Sequence, residues 1–197
     1  MVATHAESRR RTAAVAWLSA GLAYLTLEAV AAEAFRSHYS YARNLISDLG
    51  VPSHSPLAWL MNVAFCVQGT LFLVGAVALS KARLFLASAA ANALGNVLIA
   101  AFHSGPSPTA GVHVIGAVLA IVGGNAAILA GSSIIGGWHR KASIGLGLFG
   151  LLSFVMFVIE LKSAVLPLGV LERCSVYSIT AWELLTGAWL LSRRPTP

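Results

Sequence analysis

Residues 110–135 read AGVHVIGAVLAIVGGNAAILAGSSII, 26 consecutive positions without a single Asp, Glu, Lys or Arg. An α-helix rises about 1.5 Å per residue, so about 20 largely apolar residues cross a hydrocarbon layer roughly 30 Å thick. The run predicts a membrane-spanning helix. Five more stretches satisfy the same test, which places spans at roughly 13–34, 57–79, 84–103, 110–135, 143–166 and 174–192. The expected fold class is all-α, a polytopic membrane protein with six transmembrane helices in one bundle. A basic tail over 1–12 precedes the bundle of 13–192, and a short tail over 193–197 follows it. No soluble domain or long linker is left over.

Composition leads to the same place. The chain is 57% hydrophobic and only 10% charged, with a mean hydropathy of +0.79, whereas a soluble domain carries about 25% charged residues. Too little polar surface exists to cover a globule in water. The formal charge of +6 does not imply nucleic acid, because the basic residues sit in short groups at the ends of apolar runs and form no stripe. Their placement orients the spans instead, since cytoplasmic loops are enriched in Lys and Arg. Arg9, Arg10, Arg11, Lys81, Arg83, Arg140, Lys141, Arg193 and Arg194 all fall on one side of a six-span chain. Only Arg36, Arg43, Lys162 and Arg173 fall towards the other. A multi-pass plasma-membrane protein is expected, with both termini cytoplasmic and residues 38–56 outside. The alanine- and glycine-rich, lysine-poor usage points to a bacterial source. Ala32-Glu33-Ala34 resembles a signal-peptidase site, but the apolar region before it is longer than that of a typical signal peptide. The first segment is therefore expected to stay as a span. Cys66 and Cys174 read as small buried hydrophobes rather than as a disulfide.

Local signals set the connections. Ser55 followed by Pro56 reads as an N-cap and first helical residue of span two. GPSPT (105–109) breaks the chain between spans three and four. YARNLISDLG (41–50) predicts a short interfacial helix ending at Gly50, with Asn44 and Asp48 on one face.

Ionisable groups within spans are costly and tend to face the bundle interior. Glu28, Glu160 and Glu183 stand in outer or middle portions of their spans. Helical geometry returns a side chain to nearly the same direction after eleven residues. That predicts a stripe of Asn92, Asn96 and His103 on span three, and one of Glu172, Val176, Ile179 and Glu183 on span six. Arg173 and Tyr177 are four apart and can touch. His113 sits above Gly116, Ala117, Ala120 and Gly124, small residues that permit close helix approach. Arg43, Asn44, Ser47, Asp48, Asn62, His103, His113, Glu172, Arg173, Tyr177 and Glu183 thus converge in depth on an outward-opening polar pocket. The alternative is that such groups only bond neighbouring helices together.

Several chemistries could use these residues. Asp48, His103 and His113 offer a zinc-type donor set with a position for water, although no HExxH or CxxC motif accompanies them. Ser47 could act as a nucleophile beside a histidine, although its neighbour Asp48 would point about 100° away on a helix. Haem would need His103 and His113 deep on facing helices. No cofactor is assigned.

The segments NLISDLG with Asn62 downstream, FHSGPSPTAGVHVIGA, and ERCSVYSITAWELLTG resemble the bacterial membrane family catalogued as domain of unknown function 998. The resemblance covers nearly the whole chain outside the basic termini. A fainter similarity reaches the six-span DRAM and post-GPI-attachment remodelling (Frag1-like) proteins, through Ile46, Ser47, Asp48 and Gly50 and through His113, Gly116 and Ala117. It implies a six-span fold and lipid handling. The bacterial pattern places an aspartate near the end of span three, where this chain reads FHSGP. Three functions therefore stand open. The first is binding or remodelling of a membrane lipid or lipid-linked substrate, its head group held by Arg173, Arg43 and His113. The second is a hydrolase or transferase using Asp48 and His113, with Ser47 and Glu183 as further candidates. The third is a non-catalytic subunit with a membrane-protein partner.

Overall fold

The structure is a computed structural model that describes residues 2–36, 38–105, 108–134, 136–163 and 165–193, with side chains from residue 5 onwards. Part of the predicted break at 106–107, the end of the fourth predicted span at 135, Arg194 and the rest of the C-terminal tail lie outside the described residues. Six α-helices are present: α1 (Val2–Glu33), α2 (Ala58–Leu79), α3 (Arg83–Ala101), α4 (Ala110–Gly131), α5 (Trp138–Ser163) and α6 (Leu168–Ser192). A 3-10 turn occupies Ser47–Gly50, and no strand occurs among the described residues.

Helices α1 to α5 are long and apolar enough to cross a membrane. α6 has the length, at 25 residues, but Glu172, Arg173, Glu183 and several hydroxyl residues dilute its apolar character. Each helix packs against its successor and α6 returns to α1, so the six form a closed ring; α4 also meets α6. The short links at 80–82, 132–137 and 164–167 make successive helices antiparallel. The described residues of the α1–α2, α3–α4 and α5–α6 connections therefore gather at one end, the loop end. The basic start of α1 and the Lys81, Arg83, Arg140 and Lys141 groups gather at the other. Two contacts fix the ends: Arg9 Nε donates to the Ala78 carbonyl at 2.8 Å, and the Val170 amide donates to the Ala42 carbonyl at 3.2 Å.

The core divides by depth. Towards the basic end, Trp17, Phe72, Phe85 and Trp182 pack together, with Trp17 edge-on to Trp182 at 4.8 Å between ring centroids. Their indoles are satisfied, Trp17 by the Phe72 carbonyl and Trp182 by Ser143 Oγ. Towards the loop end, Tyr24, Ile46, Leu49, Met61 and Phe65 form a second cluster. Small residues set the α3–α4 seam. A Cβ on Gly116 would lie 2.8 Å from Leu98 Cβ and 3.1 Å from the Gly95 carbonyl, so the two backbones meet closely. Asn125 ties α4 to α6: its Nδ2 donates to the Ser175 carbonyl at 2.9 Å and its Oδ1 accepts from Ser178 Oγ at 2.7 Å.

Several boundaries differ from those the sequence predicts. α1 continues through the basic stretch, where good helix formers and a Glu7–Arg11 pair at 2.9 Å support it. α6 starts at Leu168, directly after Pro167, a position where proline's missing N–H costs nothing. α2 begins at Ala58 rather than at Pro56; the Ser55 hydroxyl instead accepts the Leu57 amide at 3.2 Å. The predicted interfacial helix over 41–50 is reduced to the turn Ser47–Gly50. Asn44 Oδ1 accepts the Ser40 amide at 2.9 Å and Asp48 Oδ2 accepts the Leu45 amide at 3.0 Å, local bonds that compete with helix formation. Asn44 and Asp48 consequently share no helical face. α3 ends at Ala101, which leaves His103 off the Asn92–Asn96 stripe. Glu160 is buried near the end of α5, where it accepts the Val165 and Leu166 amides at 2.8 and 3.1 Å and closes the α5–α6 link. Cys66 and Cys174 are free.

Candidate functional site

All six helices and the 45–47 segment enclose a cavity of about 480 Å³ in the loop-end half of the ring, within the roughly 300–1,000 Å³ range of small-molecule sites. Its walls are mainly apolar: Phe65, Ile99, Ala117, Ile121, Phe157, Val176 and Ile179. Gln68 from α2, Asn92 and Asn96 from α3, Glu172 from α6, His113 from α4 and Ser47 also line it.

Each polar group has a defined orientation. Gln68 Nε2 donates to Glu183 Oε2 at 2.7 Å, which turns Gln68 Oε1 away from the carboxylate. Asn92 Nδ2 donates to the Ala120 carbonyl at 2.7 Å, so Asn92 Oδ1 is its free end. Neither oxygen has a donor among the described residues, although Gln68 and Asn92 are only 4% and 2% exposed. Asn96 Nδ2 is bound to the Asn92 carbonyl at 3.0 Å. His113 Nδ1 lies 2.8 Å from the Phe102 carbonyl. A carbonyl only accepts, so Nδ1 carries the proton and, in the neutral ring, Nε2 is an acceptor. A Glu172 carboxylate oxygen accepts the Ile46 amide, which pins the 45–47 segment against α6 as a cavity wall.

One wall is thin. Val114 and Leu161 line the cavity yet are 59% and 57% exposed on the outside of the bundle. Only 22% of the most apolar stretch of α5 is buried. The α4–α5 seam therefore separates the cavity from the surroundings by a single layer of apolar side chains.

Arg173 belongs to a different assembly. Its Nη1 donates to the carbonyls of Tyr41, Asn44 and Gly169 at 2.7, 2.9 and 3.1 Å. Its Nη2 meets Glu28 Oε1 at 3.1 Å and the Tyr39 hydroxyl. Tyr177 donates to Glu28 Oε2 at 2.9 Å, so Arg173 and Tyr177 are joined through Glu28. This clamp fastens α6 to α1 and to the 39–44 segment, and it occupies both terminal nitrogens of Arg173. Within it, burial pushes the Tyr39 phenol well above its ordinary range, with Arg173 opposing.

The predicted site residues thus separate. Ser47, His113 and Glu172 line the cavity, and Glu183 lies behind Gln68. Glu172, Val176, Ile179 and Glu183 share one face of α6. Arg173 and Tyr177 form the clamp. Asn44 and Asp48 shape the loop, and Asn62 Nδ2 donates to the Gly50 carbonyl at 3.1 Å. Arg43 is exposed. Asp48, His103 and His113 do not assemble as metal ligands: no group of three His, Cys, Asp or Glu able to hold an ion exists among the described residues. Nor do the histidines face each other from two helices, as haem would need, because His103 follows the end of α3.

Sequence reasoning missed Gln68, whose signal was a lone amide in the apolar run VAFCVQGTLF, and the part played by Tyr39. No curated protein and no solved structure matches the chain. A family described as protein of unknown function (DUF998) matches residues 7–189, a stretch that takes in the ring, the cavity walls and the clamp. The chain belongs to the DUF998 family.

Proposed function

We propose that this integral membrane protein takes an amphipathic lipid, or a lipid-linked molecule, into the cavity between its helices. The observation that carries the reading is the cavity itself, apolar along its length, polar at Gln68 and Asn92, and walled from the surroundings at the α4–α5 seam by single side chains. An alkyl chain suits the apolar walls, and lateral entry through the seam spares it a passage through water. The polar groups of the ligand then lie below the outer surface. Basic residues concentrated at one end of the ring support six spans, with α6 held by its neighbours, and a cytoplasmic location of both termini. Plasma-membrane residence in a bacterium is part of the same proposal. A hydrolase built on Asp48 and His113 has no comparable support, since Asp48 is engaged with its own loop.

Native mass spectrometry of the full chain, released from the membrane in mild detergent, tests the reading. A lipid-sized adduct is expected on the parent protein and absent from Ala117→Trp, in which the indole fills the cavity. Circular dichroism and size-exclusion profiles of that variant should match the parent. An adduct retained by a folded Ala117→Trp protein would place the lipid elsewhere and overturn the proposal.

A further inference from the structure

We infer that the head of the ligand is a hydrogen-bond donor, a hydroxyl or an ammonium group, rather than a phosphate or carboxylate. This rests on the reading of the cavity as a lipid site and names what that site selects. The amides decide it. Gln68 and Asn92 each commit an N–H to the protein, to Glu183 and to the Ala120 carbonyl. Their oxygens are left without a donor among the described residues, and both residues line the cavity. His113, donating through Nδ1, offers only an acceptor nitrogen in its neutral form. Glu172 adds a carboxylate. Four side chains from four helices therefore present acceptors to one volume.

Cationic donors are lacking there, although the hydroxyls of Tyr24, Ser47 and Ser104 also line the cavity. No Lys or Arg is among the described lining residues. Arg173, the nearest candidate in sequence to Glu172, has both terminal nitrogens engaged in the clamp. An anion in this cavity would lose its hydration and meet oxygens. A donor would gain the partners that Gln68 and Asn92 are built to supply. The start of α4 at Ala110 also favours negative charge, and it stands apart from the Gln68 and Asn92 amides.

The full chain in lipid nanodiscs can be photolabelled with three diazirine-bearing probes of identical twelve-carbon chain, ending in alcohol, amine or phosphate. Labelling of cavity-wall peptides around Ala117 and Val176 is divided by labelling of the outer face of α5, which corrects for partition into lipid. The alcohol, the amine, or both should label the cavity, and the phosphate only the outer face. Alcohol alone assigns a neutral head; amine alone assigns a cation balanced by Glu172. Gln68→Met, and separately Asn92→Leu, should each lower cavity labelling by the donor probes about tenfold, the effect of one lost hydrogen bond of ordinary strength. Cavity labelling by the phosphate equal to or above that by the other two would overturn the donor assignment while leaving the cavity a lipid site. Unchanged donor labelling in both variants would do the same. No cavity labelling by any probe would overturn the lipid site itself.

Discussion

Arg173 on α6 and Glu28 on α1 form an ion pair at 3.1 Å whose side chains are only 8% and 2% exposed. The pair closes the ring, because it joins the sixth helix to the first across 145 residues of sequence. Three backbone carbonyls and two tyrosines complete it, so the cost of burying two charges is offset by a nearly full set of partners.

Removing one member should be worse than removing both. Arg173→Met strands the Glu28 carboxylate, and Glu28→Gln leaves the guanidinium without its counter-charge. Each is expected to cost about 3–5 kcal/mol of stability. The double variant Glu28→Leu, Arg173→Leu should cost clearly less than the sum. Unfolding of the four proteins in one detergent reads the coupling, and strict additivity would show that the pair does not act as a unit.

The α3–α4 seam should tolerate no extra methyl. At Gly116 a Cβ would press on Leu98 Cβ at 2.8 Å, so Gly116→Ala is expected to lose about 1–3 kcal/mol through overpacking. Gly145 on α5 is the control, because a Cβ added there would meet nothing within 4 Å. There Gly→Ala should be neutral or gain up to about 1 kcal/mol from helix propensity. Thermal midpoints that fall equally for both variants would contradict the seam as described.

Stability should decline in alkali partly through Tyr39. Burial raises this phenol above its ordinary value of 10.0, outweighing the opposing pull of Arg173. As pH rises, the unfolded chain loses the proton first, so this contribution is complete below about pH 10 and diminishes above it. Tyr39→Phe should be less stable than the parent at pH 8, and the gap between the two should narrow by pH 11. Parallel stability curves across that range would refute the assignment.

Hydropathy made the first five helices legible as candidate spans, since a continuous apolar run has one favourable home. The ends were harder. The basic start of α1 and the polar start of α6 are helical for local reasons, propensity and a proline at the entry, that a hydropathy threshold ignores. The loop over 41–50 carried a helical pattern, but Asn44 and Asp48 turned their side chains to nearby amides instead. At the site, depth was readable and partnership was not. Glu172 and Arg173 are adjacent in sequence, yet one faces the cavity and the other the clamp. What separates them is the 100° turn between neighbours on a helix together with ring closure by α1, and only the assembled bundle supplies the second.

The polarity of α6 bears on how the protein is made. Glu172, Arg173 and Glu183 each make it a poor substrate for insertion on its own, and the groups that satisfy them, the Ile46 amide, Glu28 on α1 and Gln68 on α2, have left the ribosome long before. In the six-span reading proposed above, the early helices would wait, unlatched, beside the insertion machinery until the sixth arrives. A glycosylation-mapped reporter carrying α6 alone is expected to slip through the membrane, and to be retained when residues 1–80 are supplied in the same cell. Retention of α6 without them would mean it integrates unaided. In that reading the clamp would serve as a checkpoint on synthesis as well as a brace for the finished ring.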